Sequence, residues 1–196
     1  EWDVWKGENP AQRIKLNPTQ PRQRFLLQDE LPRFLDALHH EPNEIIRDFI
    51  FMALFTGARR GNLLAMRWAD VDLERGAWRI PETKSGRAVS IPLVDQARAV
   101  LSRRRETATG PWVFPGRGQS GHLKDPKKSY ARILKEAKLK DFRFHDLRHT
   151  HASWMAISGA SLPVIQKALG HGNPSSTAVY AHLYDDPVRD AMNRGV

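Results

Sequence analysis

The chain has 196 residues, no cysteine, and 31 Lys plus Arg against 22 Asp plus Glu, a formal net charge of +9. That length fits one domain with a real core, while 40% hydrophobic residues and six Trp exclude a disordered chain. The missing cysteines exclude a disulfide framework, a thiol nucleophile and a thiolate zinc site, and the positive balance favours a polyanionic partner, nucleic acid or an acidic membrane surface.

Residues 1 to 24 contain Asn9-Pro10, Asn17-Pro18 and Gln20-Pro21-Arg22-Gln23-Arg24. Proline pushes the residue before it out of the helical region, so this stretch reads as an extended basic linker. The chain opens on Glu1 rather than Met, so the linker is expected to follow a missing segment. Leu31, Phe34, Leu35 and Leu38 then share one helical face, with Pro32 tolerable in the first turn. Asn43 can cap a second helix that runs to Phe55 or Thr56 and stops at Gly57. This helix is apolar on most sides, which predicts a central position. Its apolar run from Phe49 to Phe55 is too short to span a bilayer, and no signal peptide is readable.

Arg60-Gly61-Asn62-Leu63-Leu64 reads as a turn. Ala77-Trp78-Arg79-Ile80 and Ala88-Val89-Ser90-Ile91 are short alternating runs around Thr83-Lys84-Ser85-Gly86-Arg87, a β-hairpin with a basic tip. Helices are predicted near 95 to 106, 126 to 137, 145 to 158, 162 to 169 and 175 to 184. Tyr130, Ile133, Leu134 and Ala137 share a face of the second of these. The expected class is mainly α with a small antiparallel sheet (α+β), without repeats or low-complexity tracts.

The last third carries His145-Asp146-Leu147-Arg148, Leu169-Gly170-His171-Gly172 and Tyr180-Ala181-His182, and upstream stand Thr56-Gly57-Ala58-Arg59 and Lys84. Cleaving a phosphodiester requires neutralising the non-bridging oxygens, activating a nucleophile and protonating the leaving oxygen. Metal nucleases do this with carboxylates around Mg²⁺; here the clustered groups are cations and neutral bases that can face the phosphate themselves. Arg59, just past a helix stop, can aim a guanidinium fork outward. His145 and Arg148 share a helix face near an N-terminus, where positive potential suits an anion. His145, His149 and His151 also invite a zinc reading, but the Glu of a zinc-protease motif is absent and Arg148 disfavours a dication. No metal is expected, and His149 and His151 read as structural.

Taken in order, Thr56-Gly57-Ala58-Arg59 with Leu63-Leu64-Ala65-Met66-Arg67-Trp68, Lys84, His145-x-x-Arg148, Leu169-Gly170-His171-Gly172 and Tyr180 resemble the catalytic domain of tyrosine recombinases, the phage-integrase family, over roughly residues 25 to 185. The resemblance implies the DNA breaking-rejoining catalytic-domain fold and a strand-exchange enzyme that needs neither metal nor ATP nor other cofactor. Tyr180 would attack the scissile phosphate, leaving a 3′-phosphotyrosyl link. Arg59, Arg148 and His171 would hold the phosphate, His145 would act as acid/base, and Lys84 would protonate the leaving oxygen. Arg60, Lys84 and Arg87 are the expected DNA contacts. The family most often has an acidic residue where this chain has Asn62, whose amide can still accept one hydrogen bond beside Arg59.

The resemblance also implies double-stranded DNA as partner, a homo-tetramer assembled on DNA through the tail, and no membrane. The domain division becomes linker 1–24, catalytic domain 25–186 and C-terminal tail 187–196, where Val188, Ala191 and Met192 are spaced for a helix. The expected location is the bacterial cytoplasm, at the nucleoid. Two competing readings are a type IB topoisomerase and a non-catalytic DNA-binding module.

Overall fold

Asn43 starts the central helix through its side chain. Its carboxamide oxygen accepts from the backbone N–H of Ile45 at 3.0 Å and Ile46 at 3.3 Å, opening α2, Glu44–Thr56. Such a cap stabilises by about 1 kcal/mol. Gly57 ends α2 with φ 58°, and its N–H returns to the Ala53 carbonyl. The computed structural model describes residues 22–81, 88–170, 173 and 175–184. Within them α2 is the axis, with α1 (Glu30–His39), α3 (Arg60–Leu64), α4 (Asp95–Glu106) and α6 (Asp146–Ile157) packed around it. The remaining helices are α5 (Lys127–Glu136), α7 (Leu162–Leu169) and α8 (Ser175–Ala178). No helix among the described residues is long and apolar enough to cross a membrane.

One carboxylate lies inside the α2 packing. Asp48 is 1% exposed and accepts from Arg103 at 2.6 Å and Arg104 at 3.2 Å, both on α4. Stranding a buried charge by removing its partners costs about 3–5 kcal/mol, so this pair fixes how α4 lies on α2.

The hairpin forms as expected, β2 (Ala77–Ile80) against β3 (Val89–Pro92), antiparallel, with Trp78 opposite Ile91 and both buried. A two-residue strand β1 (Val71–Asp72) extends it to three strands; so short a run shows no alternation to read. The hairpin tip, 82–87, lies outside the described residues, as do most of the 1–24 linker and the 187–196 tail.

Two expectations are corrected. Residues 60–64 form the short helix α3 rather than a turn, started by the Arg59 carbonyl, which accepts from Asn62 N (3.0 Å) and Leu63 N (3.2 Å). Five residues are too few for periodicity to show. The helix expected over 175–184 is broken into α8 and a 3-10 turn, Ala181–Tyr184. Thr177, Val179 and Tyr180 are β-branched or aromatic and lose side-chain freedom against a preceding helical turn.

The buried side chains fall into two clusters. The larger surrounds α2, where Phe49 meets Phe114 edge-on at 5.3 Å and stacks on Phe144 at 5.4 Å. The smaller joins Ala152 and Ala156 of α6 to Ile165 and Leu169 of α7 and to Tyr180. Helix α6 lies between them, with Leu147 in one and Ala152 in the other.

Candidate active site

Arg148 occupies the junction of the two clusters and is 4% exposed. Its Nη1 donates to the Gly57 carbonyl at 2.6 Å and its Nη2 to the Leu169 carbonyl at 2.8 Å. Both acceptors stand at helix C-terminal ends, of α2 and α7, where unpaired carbonyls favour a cation. Burial, then the charge of Arg59, lowers its pKa to about 10, with Tyr180 opposing, so the guanidinium stays charged at neutrality. Two of its five N–H donors are used among the described residues.

Tyr180 follows α8, is 4% exposed, and places its hydroxyl 2.9 Å from His149 Nδ1. Burial pushes the phenol up to about 12, partly offset by Arg148. The other tyrosines of the chain are engaged elsewhere: Tyr130 donates to the Arg143 carbonyl at 3.3 Å and Tyr184 to the Ala160 carbonyl. His145 precedes α6 and its ring meets that of His149 edge-on, centroids 5.2 Å apart. Its side chain reaches solvent, yet surrounding protein holds it below the ordinary imidazole value, helped by Arg148 and Arg59 and opposed by Asp146.

Arg59 caps α3 with extended backbone and makes no side-chain hydrogen bond or ion pair among the described residues. It lines a cleft with Arg148, Asn62, Gly170, Ile80 and Val89. The bond expected from Asn62 to Arg59 is not formed among the described residues; the two meet through backbone, Asn62 N to Arg59 O. Ile80 and Val89 are the ends of the hairpin strands, and Val89 Cγ1 lies only 3.0 Å from where a Cβ on Gly170 would stand. Glycine at 170, with φ 62°, therefore lets the sheet close onto the end of α7. Arg60 is exposed and 3.7 Å from the Asp125 carboxylate. Lys84, Arg87 and His171 lie outside the described residues. Among those described, no group of three or more His, Cys, Asp or Glu gathers as a metal site.

The arrangement joins a buried phenol, two cations without carboxylate partners among the described residues and two imidazoles, the chemistry of transfer at an anionic ester. The family model for the phage integrase family matches residues 24–186. The chain belongs to the phage integrase family. It is 33% identical over 193 residues to the integrase of Salmonella phage P22, covering 91% of this chain and 49% of that protein. The chain thus spans about half the length of that relative. Its fold is that of tyrosine recombinase catalytic domains. The catalytic domain of bacteriophage HP1 integrase superposes with a TM-score of 0.67 at 22% identity, over 86% of this chain and 93% of that one. The Tn1549 transposon integrase, solved in complex with circular intermediate DNA, gives 0.74 at 20% identity, over 92% and 70%.

In this phage-integrase chain two further groups reach the site. His149, read from sequence as structural, touches the Tyr180 hydroxyl; the signal was its spacing four residues after His145, which places both rings on one face. His151 is structural as expected: its Nδ1–H donates to the Leu54 carbonyl at 3.1 Å. The other group is a strap from the linker. Arg22 donates from Nε (3.0 Å) and Nη2 (2.9 Å) to the carboxylate of Asp146, itself 1% exposed. Asp146 also reaches back to the Arg143 N–H at 2.7 Å, which fastens the start of α6 beside His145. The basic residues closing the linker are thus partly docked, Arg24 likewise holding Glu30. Nothing in a single sequence pairs positions 22 and 146.

Proposed function

We propose that this chain is the catalytic part of a site-specific DNA recombinase, an integrase that cuts and rejoins double-stranded DNA through a 3′-phosphotyrosyl intermediate. Tyr180 Oη attacks the scissile phosphorus, the bond to the 5′-oxygen breaks, and that oxygen leaves as a hydroxyl. A 5′-hydroxyl from the partner duplex then attacks the phosphotyrosine and releases Tyr180. The bond energy stays in the ester, so the step consumes neither ATP nor metal. Arg59, Arg148 and His171 neutralise the non-bridging oxygens, His145 exchanges protons, and Lys84 protonates the leaving oxygen. Arg60 and Arg87 contact the DNA backbone.

The observation that carries this reading is the Tyr180 hydroxyl held by His149, the residue next to a buried, carbonyl-anchored Arg148 that has no carboxylate partner among the described residues. For Lys84 the support is that the strands flanking its hairpin tip border the cleft of Arg59 and Arg148. Residues 1–24 as interdomain linker, 25–186 as catalytic unit, and a tetramer on DNA assembled through 187–196 belong to the same proposal, as does a place in the bacterial cytoplasm at the nucleoid. The test is covalent trapping on a nicked duplex carrying the recombination site. Wild type should form a protein–DNA adduct and Tyr180→Phe should bind the DNA yet form none; an adduct surviving in the Phe variant removes Tyr180 from the reaction.

A further inference from the structure

We infer that His149 is a catalytic residue of this reaction: its Nδ1 takes the proton of Tyr180 as the phenol oxygen attacks phosphorus, and returns it when Tyr180 is released. The inference rests on the recombinase reading above and adds to it the group that activates the nucleophile. An attacking phenol must lose its proton to something within hydrogen-bond reach. Among the described residues that group is His149, whose Nδ1 is 2.9 Å from the hydroxyl, with the rings 5.9 Å apart and tilted by 53°. His145, the acid/base of that reading, does not bond to the phenol and lies with its ring against that of His149, so the Tyr180 proton passes to His149 and not to His145.

The proton balance closes without a further reactant. A neutral imidazole carrying its hydrogen on Nε2 offers the Nδ1 lone pair to the phenol. As the O–P bond forms, the O–H bond breaks and the proton passes to Nδ1, giving imidazolium. The P–O5′ bond breaks and the 5′-oxygen takes a different proton, from the general acid. In rejoining, the incoming 5′-hydroxyl returns its proton to the conjugate base of that general acid, phosphorus releases the Tyr180 oxygen, and Nδ1 reprotonates it.

The charges around the ring keep the idle enzyme closed to this transfer. His149 faces His145 and Arg148 on its own helix, Asp146 in the first turn, Arg22 from the linker and Tyr180 beyond α8. Burial foremost, then His145, Arg148 and Arg22, hold its imidazole below the ordinary value, with Asp146 opposing. The phenol meanwhile is raised to about 12, so the proton rests on oxygen until a phosphate arrives. A phosphate anion at Arg148 offsets the cations that disfavour imidazolium, and the proton leaves oxygen as the O–P bond forms.

The test compares full-length wild type, His149→Asn, His149→Ala and Tyr180→Phe in single-turnover adduct formation on a nicked duplex with the recombination site, between about pH 5 and 8. Asn keeps an acceptor near the Nδ1 position but cannot carry a proton. Its rate should fall by on the order of 100-fold or more, with DNA affinity and melting temperature as in wild type, and the His149 limb of the acid pH profile should vanish. A ring-fluorinated tyrosine at position 180, a more acidic phenol, should recover rate in His149→Asn, and added imidazole should recover it in His149→Ala. A rate and pH profile for His149→Asn equal to wild type, or a loss that neither the acidic phenol nor imidazole relieves, overturns the inference. An adduct that requires Tyr180 but not His149 refutes this role alone, whereas an adduct that does not require Tyr180 refutes the recombinase reading itself.

Discussion

Gly57→Ala tests how the fold and the site depend on one backbone position. A Cβ built there stands 2.8 Å from His151 Cδ2 and 2.9 Å from Leu169 Cδ2, closer than carbon atoms pack. Forcing a methyl into such a contact costs about 1–3 kcal/mol. The left-handed φ of 58° adds about 1–2 kcal/mol for any residue with a Cβ. The sum is about 2–5 kcal/mol, and in a domain of this size each kcal/mol shifts the midpoint by roughly 2–4 °C. The variant should therefore melt about 4–20 °C below wild type. Gly61→Ala is the control: this glycine lies in α3 with open space around it, and alanine there should be neutral or favourable by up to about 1 kcal/mol. The Gly57 carbonyl also holds Arg148, so adduct formation should fall even at temperatures where the variant remains folded. Both quantities come from the same preparations, by thermal denaturation and by single-turnover trapping. Equal melting of the Gly57 and Gly61 variants would refute the packing argument, and full cleavage by folded Gly57→Ala would refute the anchoring one.

Stability should decline on acidification from neutrality, measured as melting temperature against pH. His145, His149 and His151 are all held below the ordinary imidazole value, mainly by burial, so the unfolded chain binds protons first. The decline therefore starts near the unfolded value of about 6.5, above the range where carboxylates titrate; a flat or rising curve there contradicts it. Lys84→Ala should be rescued by a substrate with sulfur in place of the bridging 5′-oxygen, because a thiol of pKa about 8.5 leaves without the proton that an alkoxide needs. Arg59→Ala and Arg148→Ala should not be rescued, and a Lys84 variant still slow on the sulfur substrate is not missing its proton donor. Adduct formation should survive a strong chelator, since side chains supply the cations; activity lost in chelator and restored by Zn²⁺ or Mg²⁺ would overturn that account.

The helices legible in the sequence are those with local signals. Asn43 and Gly57 bounded α2 almost to the residue because capping depends on one side chain and one φ angle. The hairpin strands were legible from alternation, whereas β1 and α3 are shorter than any period. Arg59, His145, Arg148 and Tyr180 were readable as a set through motif order, and the fold brings Arg148, His145 and Tyr180 to one end of α6. What escaped depends on distance along the chain. Arg22 meets Asp146 across 124 positions and His149 meets Tyr180 across 31. Asp48 belongs with these: an acid among the apolar residues of a helix looks misplaced until α4 brings Arg103 and Arg104 to it.

Arg148 leaves the core with a charge that its own carbonyl ligands orient but do not cancel. A fold usually completes its internal electrostatics by itself; among the described residues no carboxylate balances Arg148, and on the proposed reading the anion comes with the substrate. Docking a phosphate is then also a late step of assembling the protein interior, and the bound complex should be more rigid and harder to unfold than the free domain. At a ligand concentration 100 times the dissociation constant, that linkage amounts to about 2.7 kcal/mol. On the proposed reading, DNA would serve as a structural ion as well as a reactant.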